Sequence, residues 1–473
     1  MLSYFRINDP YRLAVIFAFL VLVRLTIFSG EFPEHISELK WMVMGEKLSG
    51  DSVLYVDLWD NFPPLSAAVY RFIDSVFDRS PLTNHILSLF LVFFQAIIFN
   101  NLLLKHRAYN ENTYLPAFLY VILMNLFFDF YLLSPVLMGL TFILLALDNI
   151  ITHLSDTRND QLVLYTGLYL GVANLFYYPS FMVLIAVYVA YTFLTATSIR
   201  RYLLLTFGYG LPIIITWIYY YLQGGMKEFY IDFVFSIFNV SSHNYLEPVF
   251  YLCILIIPFG FALVAITKTL RSIRFTNQQE RIQKLMLIIL FFAALAWLFN
   301  KERAPFQLII TIPPIAFFLT HYFLNIRAKW KAEVLFAIFL GGMLFINIST
   351  YQKTGFVMKY ISYDDLEVGT TRWDDLVRGK KILYLGKDYS IYQSASLATP
   401  YFNWDLSKLH LNYSQYFDNL TAIYKNFQRE LPEVIIDEKG VMVEVMNKMP
   451  TIKKAYQSRE NGKVYVKRPV VKP

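Results

Sequence analysis

The sequence predicts an all-α polytopic membrane bundle of about eleven transmembrane helices, with interfacial helices in its first external loop and a small C-terminal α/β soluble domain. Three observations predict it. Hydrophobic residues make up 56% of 473, mean hydropathy is +0.44, and charged residues reach only 16%, where soluble domains carry about 25%. Apolar stretches of transmembrane length recur through the first 350 residues. After residue 351 the hydropathy collapses.

The stretches 12–29, 82–104, 114–129, 131–151, 162–178, 180–198, 202–222, 249–269, 285–300, 306–325 and 332–350 are each apolar enough to cross a hydrocarbon core about 30 Å thick. The break between the third and fourth is the least marked. Glu31 and Glu34 follow the first stretch with no small-residue cleavage site, so it reads as a retained anchor and not as a signal peptide. With the N-terminus inside, Arg6, Arg12, Lys105, Arg107, Arg158, Arg200 and Arg201 gather on the cytoplasmic side, as do Lys268, Arg271, Arg274, Arg281, Lys284, Arg327, Lys329 and Lys331. That distribution requires the stretch 64–78, containing PLSAAVYRFIDSVF, not to cross. It is short, it carries Arg71 and Asp74, and it reads as a surface helix with its apolar face down. An odd number of spans then puts the tail outside.

The chain thus divides into a transmembrane domain, 1–350, whose first external loop is 30–81, and an extracytoplasmic domain, 351–473. The loop holds one helix near 35–48, HISELKWMVMGEKL, and a second near 64–78, with a Gly50 turn and the extended LYVDLWDNF between them. In the tail, KKILYLGKDYSIYQ reads as strand, glycine turn and helix, and PEVIIDEKG as a second apolar strand ending in acidic turn residues. The net charge of +7 is scattered over short loops, which marks membrane topology and argues against a nucleic-acid surface. Cys253 is the single cysteine, so no intrachain disulfide forms. His35, His85, His106, His153, His243, His321 and His410 show no zinc-site spacing, and no Walker loop, G-x-G-x-x-G or nucleophile elbow is present.

The densest chemistry lies in Y-x-D-x-W-D-N-x-P-P-L, residues 55–65. Pro63 and Pro64 end any upstream helix, and proline is well suited to the first position of the next, so the pair forms a rigid elbow. Asp57 and Asp60 stand just ahead of it. A stiff turn that holds carboxylates at the water–lipid boundary suits a reaction between a lipid-linked phosphate and a water-soluble acceptor.

These residues resemble the first external loop of the GT-C membrane glycosyltransferases, which include the protein O-mannosyltransferases and the lipid A aminoarabinose transferases. The resemblance spans roughly residues 10–350 in layout, and its sharp motif covers about a dozen residues. It implies a GT-C-like bundle in a bacterial inner membrane that moves a sugar from a polyprenyl-phosphate donor to an extracytoplasmic glycan, lipid or protein acceptor. Glu34 or Glu38 matches the family's first-loop catalytic acid, and Tyr55, Asp57, Asp60 and Asn61 match its substrate-binding block. Asp129, in FFDFYLLSP, corresponds to a second acidic site, with a divalent cation as one way for it to act and the metal ligands unassigned. Lys301 and Arg303, ahead of PFQLIITIPPIAFFL, correspond to the late basic residues that would clamp the departing phosphate. The sequence departs from the family at Phe62, where a Lys or His is expected, and it lacks the paired Asp-Glu, the nearest text being PEHISE. A looser likeness is to an uncharacterised group of bacterial multi-span membrane proteins that carry W-D-N-x-x-P-L.

Structural roles compete for the same residues. Glu34 and Glu38 suit the solvated face and N-terminal dipole of a helix, Asp57 and Asp60 suit a turn, Asp129 suits headgroup water, and Arg303 suits snorkelling. Arg24 lies inside the first span, close enough to its external end to snorkel. Two further classes therefore stand beside the transferase: a non-catalytic scaffold or accessory subunit that keeps the fold, and a transporter or lipid flippase.

Overall fold

The computed structural model describes residues 2–29, 33–156, 158–195, 197–235, 242–271, 275–352 and 366–469, without the side chains of Phe28, Ser29 and Leu252. Glu31 and Arg274 lie outside the described residues, as does 353–365 at the start of the tail. Two compact units form. One comprises Met1–Phe32, Pro81–Ile215 and His243–Tyr363, and the other Pro33–Ser80, Thr216–Ser242 and Asp364–Pro473.

In the first unit and the helix that leaves it, seven described helices are long and apolar enough to cross a membrane: Pro81–Lys105, Pro135–Ser155, Ile199–Leu222, Cys253–Leu270, Asn277–Phe299, Pro305–Asn325 and Lys329–Gln352. The other expected spans form shorter helices, Tyr11–Val23, Leu115–Leu123, Asp160–Phe176 and Phe181–Leu194. The protein is an integral, multi-pass membrane protein.

The short helices have local causes. Tyr11–Val23 ends at Arg24 and continues as a 3-10 turn, Leu25–Ser29. Between Leu123 and Pro135 the chain stays apolar but leaves the α-helix for a 3-10 turn, Phe128–Tyr131. The next helix then starts where the Ser134 hydroxyl accepts the Leu137 N–H at 3.3 Å, with Pro135 in the first turn. Pro179 sits in the 3-10 turn that separates Asp160–Phe176 from Phe181–Leu194, whereas Pro212 and Pro258 lie inside continuous helices. Residues 113–140 are buried without exception, so the broken segment runs through the middle of its unit.

The second unit joins the first loop, the segment after Ile199–Leu222, and the tail. Helix α1, Ile36–Ser49, packs on α2, Pro64–Phe77. Gly45 permits this contact, because a Cβ there would lie 2.8 Å from the Tyr70 carbonyl oxygen. Pro63 is extended at φ −64° and ψ 138°, and Pro64 opens α2, which is the expected elbow. In the tail follow β1 (Lys381–Leu385), β2 (Ser396–Leu397), α3 (Trp404–Leu411), α4 (Phe417–Arg429), β3 (Val434–Asp437), α5 (Met442–Lys448), α6 (Pro450–Ala455), β4 (Tyr456–Arg459) and β5 (Val464–Lys467). The sheet order is β2-β1-β3-β5-β4, with β1 parallel to β2 and β3, and β5 antiparallel to both β3 and β4. Residues after Gly386 form a 3-10 turn, Tyr389–Gln393, and not the expected helix, because Asp388 caps Ser390 at 2.9 Å and only five residues follow before the chain turns to β2. The acidic turn after β3 behaves as expected: the Asp437 carboxylate accepts the Lys439, Gly440 and Met442 N–H groups at 3.0, 2.8 and 2.7 Å.

Only α2 keeps an interfacial character, with Phe72, Val76 and Phe77 between 52% and 65% exposed. Helix α1 differs. Residues Ile36 to Gly45 are all buried, since α2, the Tyr389–Gln393 turn and β2 cover it.

Candidate active site

Glu34, Glu38, Tyr55, Asp57, Asp60 and Asn61 belong to the second unit, and Asp129, Lys301 and Arg303 to the first. In the second unit the first loop is held by the tail. The Trp59 N–H donates to the Pro400 carbonyl at 2.8 Å, and the Trp59 carbonyl accepts the Asn403 N–H at 3.2 Å. Upstream, Ile36 N–H donates to Leu366 O at 2.8 Å and Val368 N–H to Glu34 O at 2.9 Å.

Asp60 is fully buried, and its carboxylate meets the Lys40 ammonium at 3.1 Å. Asn403 Nδ2 donates to Asp60 Oδ2 and to Asn61 Oδ1, each at 3.4 Å. Lys40 also lies 5.2 Å from the centre of the Tyr389 ring. A buried carboxylate of this kind is stable only when paired, and the pairing fixes its direction. Glu38 is buried two residues before Lys40, close enough to Tyr70 for its charge to add to the burial that pushes the Tyr70 hydroxyl up. Glu34 is exposed, and Gln393 Nε2 donates to its Oε2 at 3.2 Å.

Tyr55 takes a positive φ of 68°, its ring packs 5.1 Å from Tyr220 and 5.6 Å from Phe229, and its hydroxyl donates to the Phe62 carbonyl at 2.6 Å. It therefore braces the elbow from behind. Asp57 has a turn role, as its carboxylate accepts the Val53 N–H at 2.9 Å and pairs with Arg429. Asp232 completes this acidic region. Burial, then the charges of Asp60 and Glu228, push its carboxyl up to about 8, so at neutral pH it holds a proton.

In the first unit Asp129 is fully buried, and its Oδ2 accepts the Phe306 N–H at 2.7 Å. Its carboxylate thus meets the start of the 3-10 helix Pro305–Thr311, three residues beyond Arg303. Arg303 Nη2 donates to Leu298 O at 2.9 Å and Nη1 to Asn244 Oδ1 at 3.4 Å, while its carbonyl accepts the Tyr251 hydroxyl at 2.9 Å. Lys301 is half-buried, and its carbonyl accepts the His243 N–H at 2.7 Å. The Asp129 carboxylate therefore holds the backbone three residues after Arg303.

Arg24 does not snorkel. It is fully buried, and donates to Asn125 Oδ1 at 2.8 Å, Ser88 Oγ at 3.1 Å and Phe130 O at 3.3 Å, 4.5 Å from the Tyr131 ring centre. Those acceptors lie inside the bundle, so the guanidinium reaches inward to the helix break that carries Asp129.

Sequence reasoning missed Lys40, Asn403, Tyr389 and Asp232. Lys40 had a signal, as a cation within an apolar helix. The other three come to Asp60 or Lys40 from more than 150 residues away, and no local pattern marks them. Among the described residues no group of three or more His, Cys, Asp or Glu side chains is arranged to hold a metal ion. Asp60 faces the Lys40 ammonium, and Asp129 accepts the Phe306 N–H.

No protein-family model matches the sequence, and no curated protein matches it. Among solved structures, ArnT from Cupriavidus metallidurans bound to undecaprenyl phosphate aligns over 96% of this chain and 98% of that one, with a TM-score of 0.56 at 12% identity. The same enzyme in the apo state aligns over 95% and 97%, with a TM-score of 0.54 at 13% identity. Identity this low speaks to the fold and leaves the reaction to be argued from the site. The chain has the fold of the GT-C membrane glycosyltransferases.

Proposed function

We propose that the protein is a glycosyltransferase that moves a sugar from a polyprenyl-phosphate donor to an acceptor outside a bacterial inner membrane, with the N-terminus cytoplasmic and the tail extracytoplasmic. The observation that carries this reading is the buried Asp60–Lys40 pair at the Pro-Pro elbow, with Glu38 on the same helix as Lys40 and Glu34 just ahead of that helix, in a chain of GT-C fold. ArnT, the similar structure, was solved with undecaprenyl phosphate, which supports a polyprenyl-phosphate donor here.

In the reaction a carboxylate takes the acceptor hydroxyl proton as the oxygen attacks the sugar carbon. The bond from that carbon to the phosphate oxygen breaks, and the phosphate leaves with the electron pair. Glu34 is the better placed base, because it is exposed to an incoming acceptor while Glu38 and Asp60 are buried. Arg303 and Lys301 would stabilise the departing phosphate, with Asp129 fixing the segment that carries them. The competing scaffold reading draws on Asp57 and Asp129, whose carboxylates are engaged in backbone hydrogen bonds.

The test is turnover of a panel of labelled polyprenyl-phosphate sugars by the full chain in lipid nanodiscs, with a cell-envelope extract as acceptor. Glu34→Gln should lower transfer by about 100-fold, within the usual range for general base catalysis. Transfer at wild-type rate by Glu34→Gln, Glu38→Gln, Asp60→Asn and Asp129→Asn alike, with each protein accumulating normally, would end the enzyme reading.

A further inference from the structure

A cavity of about 660 Å³ opens within the second unit, between the loop that follows α1 and the tail. It lies outside the Asp60–Lys40 pair. Its size falls in the range of about 300–1,000 Å³ seen for small-molecule sites, but such sites are mostly apolar. This one is not. The apolar side chains on its wall are Val56, Leu397, Ala398 and Pro400, and the remainder carry hydrogen-bonding groups apart from Gly50.

The charges on the wall are matched in advance. Lys47 and Lys381 share Glu430, the latter at 3.2 Å, and Arg429 meets Asp57. Glu46 is held by Ser396 Oγ at 2.5 Å and by Arg79 at 3.5 Å. Lys47 and Asp57 are only 16% and 9% exposed in their side chains, so these groups are fixed before any ligand arrives. An anion entering here meets Glu46, Asp51 and Asp57, and a cation meets Lys47, Lys381 and Arg429. A neutral ligand with many hydroxyls is favoured on both counts. Each hydroxyl donates once and accepts twice, so adjacent hydroxyls satisfy a carboxylate and a guanidinium together.

We propose that this cavity is a saccharide-binding site, which takes an uncharged stretch of an oligosaccharide chain. It rests on the glycosyltransferase reading only for its role, the bound chain being the acceptor.

The experiment is calorimetric titration of the full chain in nanodiscs with maltohexaose, mannohexaose, cellohexaose and chitohexaose, and with hexagalacturonate as the charged counterpart. At least one neutral hexasaccharide should bind saturably, and hexagalacturonate at least about tenfold more weakly. Ser52→Trp, which fills the cavity, should abolish that binding. If this variant fails to fold, Arg429→Ala decides, with an expected loss of about tenfold. The proposal is overturned if no neutral hexasaccharide binds, if hexagalacturonate binds as tightly, or if the folded variant binds as the parent does. Saccharide binding without turnover of any donor would sink the transferase reading and leave the site standing. Transfer to a lipid or peptide with no saccharide bound would do the reverse.

Discussion

Replacing Lys40 by Met tests whether the elbow is built around an ion pair. Asp60 is 0% exposed and Lys40 5%, so the substitution strands a carboxylate with no water to replace the ammonium. Breaking a buried pair by removing one partner costs about 3–5 kcal/mol. The stranded group has one escape, which is to take a proton. From an ordinary carboxyl pKa of about 3.9, protonation costs about 1.4 kcal/mol per pH unit, or about 4 kcal/mol at pH 7 and about 1.5 kcal/mol at pH 5. The smaller of the two limits governs, so Lys40→Met should destabilise by about 4 kcal/mol at pH 7 and by less than half of that at pH 5. Pulse proteolysis of the full chain across a urea series, scoring cleavage in the tail, measures the difference at both pH values. The double variant Lys40→Met with Asp60→Asn should recover most of the loss at pH 7. A cost below about 1 kcal/mol at pH 7, the level of an exposed pair, or a cost that does not shrink on acidification, would show that the pair is neither buried nor coupled.

Three other substitutions probe the rest of the scaffold. Arg24→Met removes three hydrogen bonds, two of them to the break before Pro135, and should cost about 2–3 kcal/mol, with Arg24→Lys only partly restoring it because the planar fork is lost; thermal inactivation in detergent reports both. Gly45→Ala puts a Cβ 2.8 Å from the Tyr70 carbonyl oxygen, and the forced separation of α1 and α2 should cost about 1–3 kcal/mol in the same proteolysis assay, or the close approach is not real. Asp232 has a folded value of about 8 against an ordinary 3.8, so the unfolded chain loses its proton first and stability falls as pH rises from about 4 to about 8; Asp232→Asn should flatten that slope, and an unchanged pH profile would remove Asp232 from the acidic region.

What the sequence disclosed depended on range. Spans, loop helices and tail strands follow from periodicity and composition over about 5 to 25 residues, and the described helices fall on those stretches. The Pro-Pro elbow was legible for the same reason, since proline acts on its own neighbours. The break at 124–134 was marked only faintly, because Phe, Leu and Tyr are as apolar in a 3-10 turn as in a helix. Arg24 shows the limit most clearly: its position in the span was plain, but whether a long side chain turns to water or inward depends on Ser88, Asn125 and Phe130, which lie more than 60 residues away. Helix α1 likewise reads as a surface helix until the tail is seen to cover it.

That cover changes what the W-D-N-x-P-P-L motif asks of the chain. Groups that bind or react must be held to about 0.5 Å, and loops alone rarely manage it. Here the backbone of Trp59 is bonded on both sides to Pro400 and Asn403, the Trp59 ring packs 5.0 Å from Tyr401 and 4.4 Å from His410, and Asn403 reaches Asp60 itself. Asp57 is tied to Arg429 at the end of α4. The tail thus supplies one wall of the motif and the rigidity of a five-stranded sheet behind it. A motif of about a dozen residues in an external loop specifies little without that support. The residues that would need to match between this chain and a working relative therefore include Asn403 and Arg429 in the tail as much as Asp57 and Asp60 in the loop.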